Sequence, residues 1–244
     1  MARWFNRANL VPVMLAFTAG GLIQTGIAWG DRAGKPPANF DEINVGRINI
    51  VEPNGKYRLV MANSAKFPGL FMGGKEYKHH SRDGGGMLFL NDEGDEVGGM
   101  TFGSSIGPDG KISASGSMMF DQYKQDQTVG ILYSENDKKR TAGVRVWDRP
   151  DWSIGPLMEM SDRAARAATP TDKANVRSEM LAYAQSQGGL GGERMFAGKQ
   201  QEDAIVRLSD KQGRPRLVIR VGADGTPGIE FLDETGKVVK RITQ

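Results

Sequence analysis

A four-residue turn signature, an acidic or amide residue followed by two residues and a glycine, recurs between short apolar runs of this chain and restricts it to hairpin-built folds. It reads Glu52-Pro53-Asn54-Gly55, Asn91-Asp92-Glu93-Gly94, Asp210-Lys211-Gln212-Gly213 and Asp233-Glu234-Thr235-Gly236. Such a block fits a type I turn whose next residue is left-handed, a conformation glycine adopts without steric penalty; Pro53 presets φ at the second turn position. The flanking runs alternate with period two. Ile48 and Ile50 bracket Asn49, and Tyr57, Leu59 and Met61 alternate with Arg58, as in strands with one buried face. The expected fold class is all-β, mainly antiparallel hairpins, with barrel, solenoid and propeller-like closures all open.

Charge and composition exclude several functions. The formal charge is +3, and removing Arg3 and Arg7 leaves +1 for everything after the first apolar run. That is no footprint for nucleic acid, which needs a clustered basic face. Without cysteine there are no disulfides, cysteine-ligated zinc sites or thiol nucleophiles.

Residues 10–29 form a 20-residue stretch without a charge, long enough to cross a hydrocarbon core of roughly 30 Å as a helix. Arg3 and Arg7 on its amino side, with Trp4 and Trp29 at its ends, predict a single-pass inner-membrane anchor over 1–30 and an extracytoplasmic, periplasmic remainder. Ala28-Trp29-Gly30 also resembles a small-x-small cleavage site, which would make the mature chain secreted. A buried helix is the third option, although the run shows no polar face.

Residues 31–39, with Gly34, Pro36 and Pro37, read as a stiff linker. A β-hairpin region follows over 40–147. It contains a Gly-rich, basic loop at 62–86, strands at 87–90 and 99–102 in which Gly98 and Gly99 weaken the second arm, and a Gly107-Pro108-Asp109-Gly110 turn. Further strands fall at 118–120, 129–133 and 141–147. Residues 148–203 change character to an Ala-rich helical and loop insert. Thr171 or Asp172 caps a helix over 173–187 with Val176, Met180, Leu181 and Ala184 on one stripe, after a shorter helical turn at 161–168. Gly188 to Gly192 then form a mobile connector. Hairpins return over 204–244, where 208–214 repeats as 231–237 at a spacing of about 23 residues, with Ala223-Asp224-Gly225 between.

Phe40-Asp41-Glu42-Ile43-Asn44-Val45-Gly46-Arg47-Ile48-Asn49-Ile50-Val51-Glu52-Pro53-Asn54-Gly55, together with Met119-Phe120-Asp121-Gln122-Tyr123-Lys124-Gln125-Asp126-Gln127, resembles an uncharacterised group of bacterial proteins. The likeness covers most of 40–147 and the last forty or so residues. It implies a membrane-anchored chain with a hairpin-rich exported domain and brings no activity with it.

Candidate chemistry is sparse. Gly103-Ser104-Ser105-Ile106-Gly107 matches the nucleophile-elbow pattern, yet a turn follows where a helix is required and both histidines lie upstream, so no catalytic residue is assigned. His79 and His80 are adjacent, so their side chains diverge; they are weak binding candidates among Lys75, Lys78 and Arg82, which favour an anion. Asn91, Asp92, Glu93, Asp95 and Glu96 concentrate oxygen ligands without the spacing of a calcium loop. Gly188 to Gly192 lack the Lys-Ser or Lys-Thr of a phosphate loop. No metal or cofactor is expected. Asp121, Tyr123 and Asp126 form the densest polar and aromatic cluster, and Trp147 and Trp152 flank the Arg149-Pro150-Asp151 loop as a second candidate corner.

The leading expectation is a non-enzymatic interaction module, held to membrane lipid by its amino-terminal helix and binding an envelope protein. The alternatives are a small-ligand or glycan-binding β-domain that stacks on Tyr123, Trp147 and Trp152, and a hydrolase using Asp121 and Asp126 as paired acids.

Overall fold

The computed structural model describes residues 37–80, 82 and 84–243. The run at 10–29 lies outside the described residues, and with it the expected span and cleavage site. Among the described residues no helix is long and apolar enough to cross a membrane.

Residues 44–244 form one unit. Its elements run β1 (Arg47–Val51), β2 (Tyr57–Ala62), β3 (Leu70–Met72), β4 (Lys75–Tyr77), β5 (Gly85–Leu90), β6 (Glu96–Ile106), β7 (Ile112–Asp121), β8 (Gln127–Asn136) and β9 (Lys139–Trp147). Then come α1 (Gly155–Ala165), α2 (Pro170–Ser186), β10 (Glu193–Gln200), β11 (Asp203–Ser209), β12 (Pro215–Val221), β13 (Pro227–Leu232) and β14 (Val238–Thr243). All but β3 and β4 join one 12-stranded sheet in the order β1-β2-β5-β6-β7-β8-β9-β10-β11-β12-β13-β14, and every neighbouring pair is antiparallel. The fold is all-β in its frame, and the sheet is an open meander with β1 and β14 at its edges.

The glycine turns explain this order. Gly55, Gly94, Gly213 and Gly236 have φ of 85°, 84°, 76° and 84°, and each amide donates to the carbonyl at the start of its turn. One register shift accompanies each of these hairpins. The 23-residue repeat therefore places the Asp210 and Asp233 turns at one end of the sheet and the Ala223-Asp224-Gly225 turn at the other.

Several sequence expectations are corrected. Gly98 and Gly99 do not weaken their arm, because β6 is the longest strand, at 11 residues. A Cβ would stand 2.4 Å from the Met119 carbonyl oxygen at Gly98 and 2.5 Å from that of Met87 at Gly99, so glycine permits the close strand approach here. The 62–86 loop contains the β3–β4 hairpin. Residues 193–200 and 203 of the expected insert belong to the sheet, with a two-residue turn between them. The longer helix starts at Pro170, capped by Thr169 Oγ1 accepting from the Asp172 amide at 3.1 Å. Thr171 and Asp172 lie inside it, since proline is favoured at the first helical position. Leu181 of the expected stripe is exposed; Met180, Tyr183 and Ala184 do the packing. The 188–192 connector is held at its end, where Asp148 N–H donates to the Gly192 carbonyl at 3.0 Å.

The core lies on one face of the sheet. Val60, Leu88 and Leu90 meet Phe71 of the β3–β4 hairpin, with Tyr57 and Phe67 against them. The hairpin's Tyr77 then packs with Leu157 and Met158 of α1 and Ala184 of α2. Farther along this face Phe196, 1% exposed, has the Arg145 and Arg207 guanidiniums 5.4 and 5.5 Å from its ring centre. Glu193 pairs with both arginines, so charge-paired side chains roof this part of the sheet.

Candidate functional site

Two features stand out, a polar cavity on the helix-bearing face and the bare opposite face. The cavity, of about 360 Å³, lies where β5 to β8, the β3–β4 hairpin and α1 meet. Met119, Met158 and Leu70 give it apolar walls, and Asp121, Asp126, Glu96, Arg82, Gln125 and His80 give it polar ones.

Asp121 is the last residue of β7. Strand alternation puts its carboxyl on the helix-bearing face with Met119, two residues earlier, while the bulge opposite, at Thr128 of β8, brings Gln127 level with it. Burial, then repulsion from Glu96 and Asp126, raises it from 3.8 to about 7 against the pull of Arg82 and Arg149. Its Oδ1 is buried and finds no hydrogen-bond partner among the described residues. A carboxyl in this state exchanges a proton near neutral pH, as acid–base chemistry requires.

Arg82 grips Glu96 through two hydrogen bonds of 2.6 and 2.8 Å and donates to the Gly69 carbonyl at 3.0 Å. Burial nevertheless outweighs the guanidinium and holds Glu96 above the usual carboxylate range. Asp126 lies 3.5 Å from Arg149, which donates to the Gln127 carbonyl at 2.6 Å. His80 stands at the cavity mouth; desolvation, then Arg82 and His79, depress its imidazole against the pull of Asp126.

The structure thus brings Asp121, Asp126 and His80 to one place and sends the other candidates elsewhere. The His79 ring nitrogens lie 3.1 Å from Asp162 Oδ1 and 3.0 Å from Ser161 Oγ on α1. Tyr123 sits on the β7–β8 turn and donates to Glu93 at 2.6 Å. Trp152 packs edge-on to Tyr183 at 5.7 Å inside the helix cluster, and Trp147 carries the Arg149 guanidinium over its ring at 5.8 Å. Neither tryptophan lines the cavity, so the stacking platform expected from them does not form there.

Sequence reasoning named Arg82 only as a basic neighbour of the histidines and missed its pairing with Glu96 as a cavity acid, and it missed Lys124. Lys124 has φ of 58°, uncommon for a residue with a side chain. Its ammonium pairs with Glu93 and with the fully buried Asp95, whose Oδ1 also accepts from the Gly73 amide at 2.6 Å. Asp92 is taken by Arg58. The acid-rich Asn91 turn therefore spends its carboxylates on cations and an amide. Among the described residues no three His, Cys, Asp or Glu side chains gather in a metal-binding group.

The opposite face is built by register. Ile48, Met61, Met87, Met100, Met118, Ile131, Val144, Ala197, Val206, Ile219, Ile229 and Ile242 run across all twelve strands on one side. Phe102 and Ile131 are 59% and 60% exposed there. Every buried hydrophobic residue of the sheet, Val60, Leu88, Leu90 and Phe196, belongs to the other side. Among the described residues, the charged ones at register positions on the apolar face are Glu135, Arg140, Lys199 and Lys240, near strand ends or the β14 edge. An antiparallel sheet ordinarily turns its apolar face to the core. This one leaves that face uncovered by any described element.

Comparisons with protein-family models, with curated proteins and with solved structures find no match for this chain.

Proposed function

We propose that this protein is a non-enzymatic interaction module whose apolar sheet face is its docking surface, tethered by residues 10–29 to the outer side of an inner membrane. The observation that carries the reading is the continuous apolar face, which at about 850 Å² from strand spacing and rise exceeds the patches of about 300–600 Å² usual on monomers. The charged opposite face, with its Arg145–Glu193–Arg207 and Arg220–Glu230–Arg241 ladders, supplies the contrast expected of a solvated side. A photo-reactive side chain placed at Phe102 in the full-length chain should give discrete adducts that the same group at Arg220 does not. Equal adduct patterns from both positions would remove the support. The tether is tested by membrane fractionation and the mass of the mature amino terminus.

A second reading, small-ligand binding, is favoured by the orphaned Asp121 Oδ1 facing the cavity. It calls for a ligand that donates hydrogen to a carboxyl and places an apolar part against Met119 and Met158. Thermal shifts across a panel of primary amines, amides and monosaccharides should include compounds that stabilise the wild type and not Asp121→Asn. A panel without such a compound counts against this reading.

A further inference from the structure

Resting on the docking-surface reading, we infer that the partner on the apolar face is a second copy of this chain, the two sheets packing face to face as a two-fold dimer. The first argument is area. Twelve strands spaced about 4.8 Å apart span roughly 50 Å, and five residues along each strand span roughly 17 Å. The product, about 850 Å² per chain, matches the ~800 Å² per partner of a stable interface.

The face also has relief suited to interdigitation. Phe102 stands between Gly85 and Gly116, and Phe120 has Gly98 beside it. Such large residues flanked by hollows are what two opposed sheets mesh when they pack about 10 Å apart. In a two-fold arrangement each copy supplies both knobs and hollows, so one surface can complement itself.

Other occupants fit less well. The apolar run at 10–29, even wound as one helix, measures roughly 30 by 10 Å and would cover only about a third of the face. Lipid is disfavoured by the open edges, since β1 and β14 would carry unpaired backbone amides and carbonyls into hydrocarbon. A second sheet leaves those edges in water.

The chain has no cysteine, which makes the test direct. Ile131 lies in β8, one of the two central strands, so in a two-fold dimer it sits near its own copy whichever in-plane axis relates the sheets. In cells producing full-length Ile131→Cys, a thiol-specific bifunctional reagent about 10 Å long should yield a covalent dimer. Leu181→Cys, equally exposed on α2, should not. By light scattering of the purified chain, Ile131→Asp should weaken self-association at least about 30-fold, the scale of an interface hot spot. Because Ile131 is already exposed in one chain, this variant should keep its far-ultraviolet circular dichroism. A cysteine at 131 that is shielded from a monofunctional maleimide yet never cross-links to its copy overturns the dimer and leaves the docking-surface reading standing. A cysteine that is labelled freely and does not cross-link overturns both.

Discussion

Asp121→Asn should stabilise the fold above neutral pH and have little effect at pH 3.5. The carboxyl is raised from 3.8 to about 7 in the folded chain, chiefly by burial and then by Glu96 and Asp126. Between those values the unfolded chain has released the proton while the folded chain still holds it. Stability therefore falls as pH rises through this window, by up to ~4 kcal/mol at 1.36 kcal/mol per pH unit. Partial solvent access reduces this to about 2 kcal/mol. Asparagine fills the same space without titrating, so the advantage of the variant should grow from near zero at pH 3.5 to a plateau above pH 8. In a chain of this length 1 kcal/mol moves the melting temperature by about 2–4 °C, so the expected gain at pH 8 is roughly 5 °C. Thermal melts of the full-length protein, followed by circular dichroism at pH 3.5, 6 and 8, measure it. A difference that stays constant with pH, or a variant that melts lower at pH 8, would refute the assignment of Asp121 as a strained, desolvated acid.

Lys124→Met should destabilise by about 3 kcal/mol in urea, because it strands the Asp95 carboxylate, 1% exposed, without its cation; adding Asp95→Asn to that variant should recover part of the loss. Phe196→Ala should cost about 3–4 kcal/mol, read in the same titration, by removing the ring held between Arg145 and Arg207. Thr169→Ala should cost about 1 kcal/mol and speed hydrogen exchange of the first amides of α2, including that of Asp172.

The hairpin frame was legible because its turns are local. Four residues around Gly55 or Gly236 fix the reversal whatever packs nearby, and period two fixes the strands beside them. The β3–β4 hairpin was not legible, since Leu70-Phe71-Met72 is too short to show a period and owes its form to the Phe71 contact with Val60 and Leu88. The Gly98-Gly99 arm misled for a related reason: propensity counts glycine as a breaker, and only the approach of Met87 and Met119 shows why it is needed. At the site, Asp121 and Asp126 were found from local density of polar groups. Arg82 and Glu96, 14 residues apart, meet only through sheet pairing. The tryptophans were misread because an aromatic beside a loop looks alike in sequence whether it faces solvent or, as Trp152 does, Tyr183. The apolar face was present in the alternation all along, but which side the helices would cover is a property of tertiary packing.

Each strand of the meander finds its sheet neighbour immediately upstream, apart from the two steps that pass over β3–β4 and α1–α2. A chain with that wiring can grow its sheet in the order in which it is synthesised or translocated, since no strand has to wait for a later one to supply a partner. The advancing margin carries unsatisfied amides and carbonyls at every stage, so growth needs a stop. At the β14 edge Lys240 supplies one, because Arg241 is paired with Glu230 while the Lys240 ammonium would face its own copy in an identical strand and discourage lateral addition.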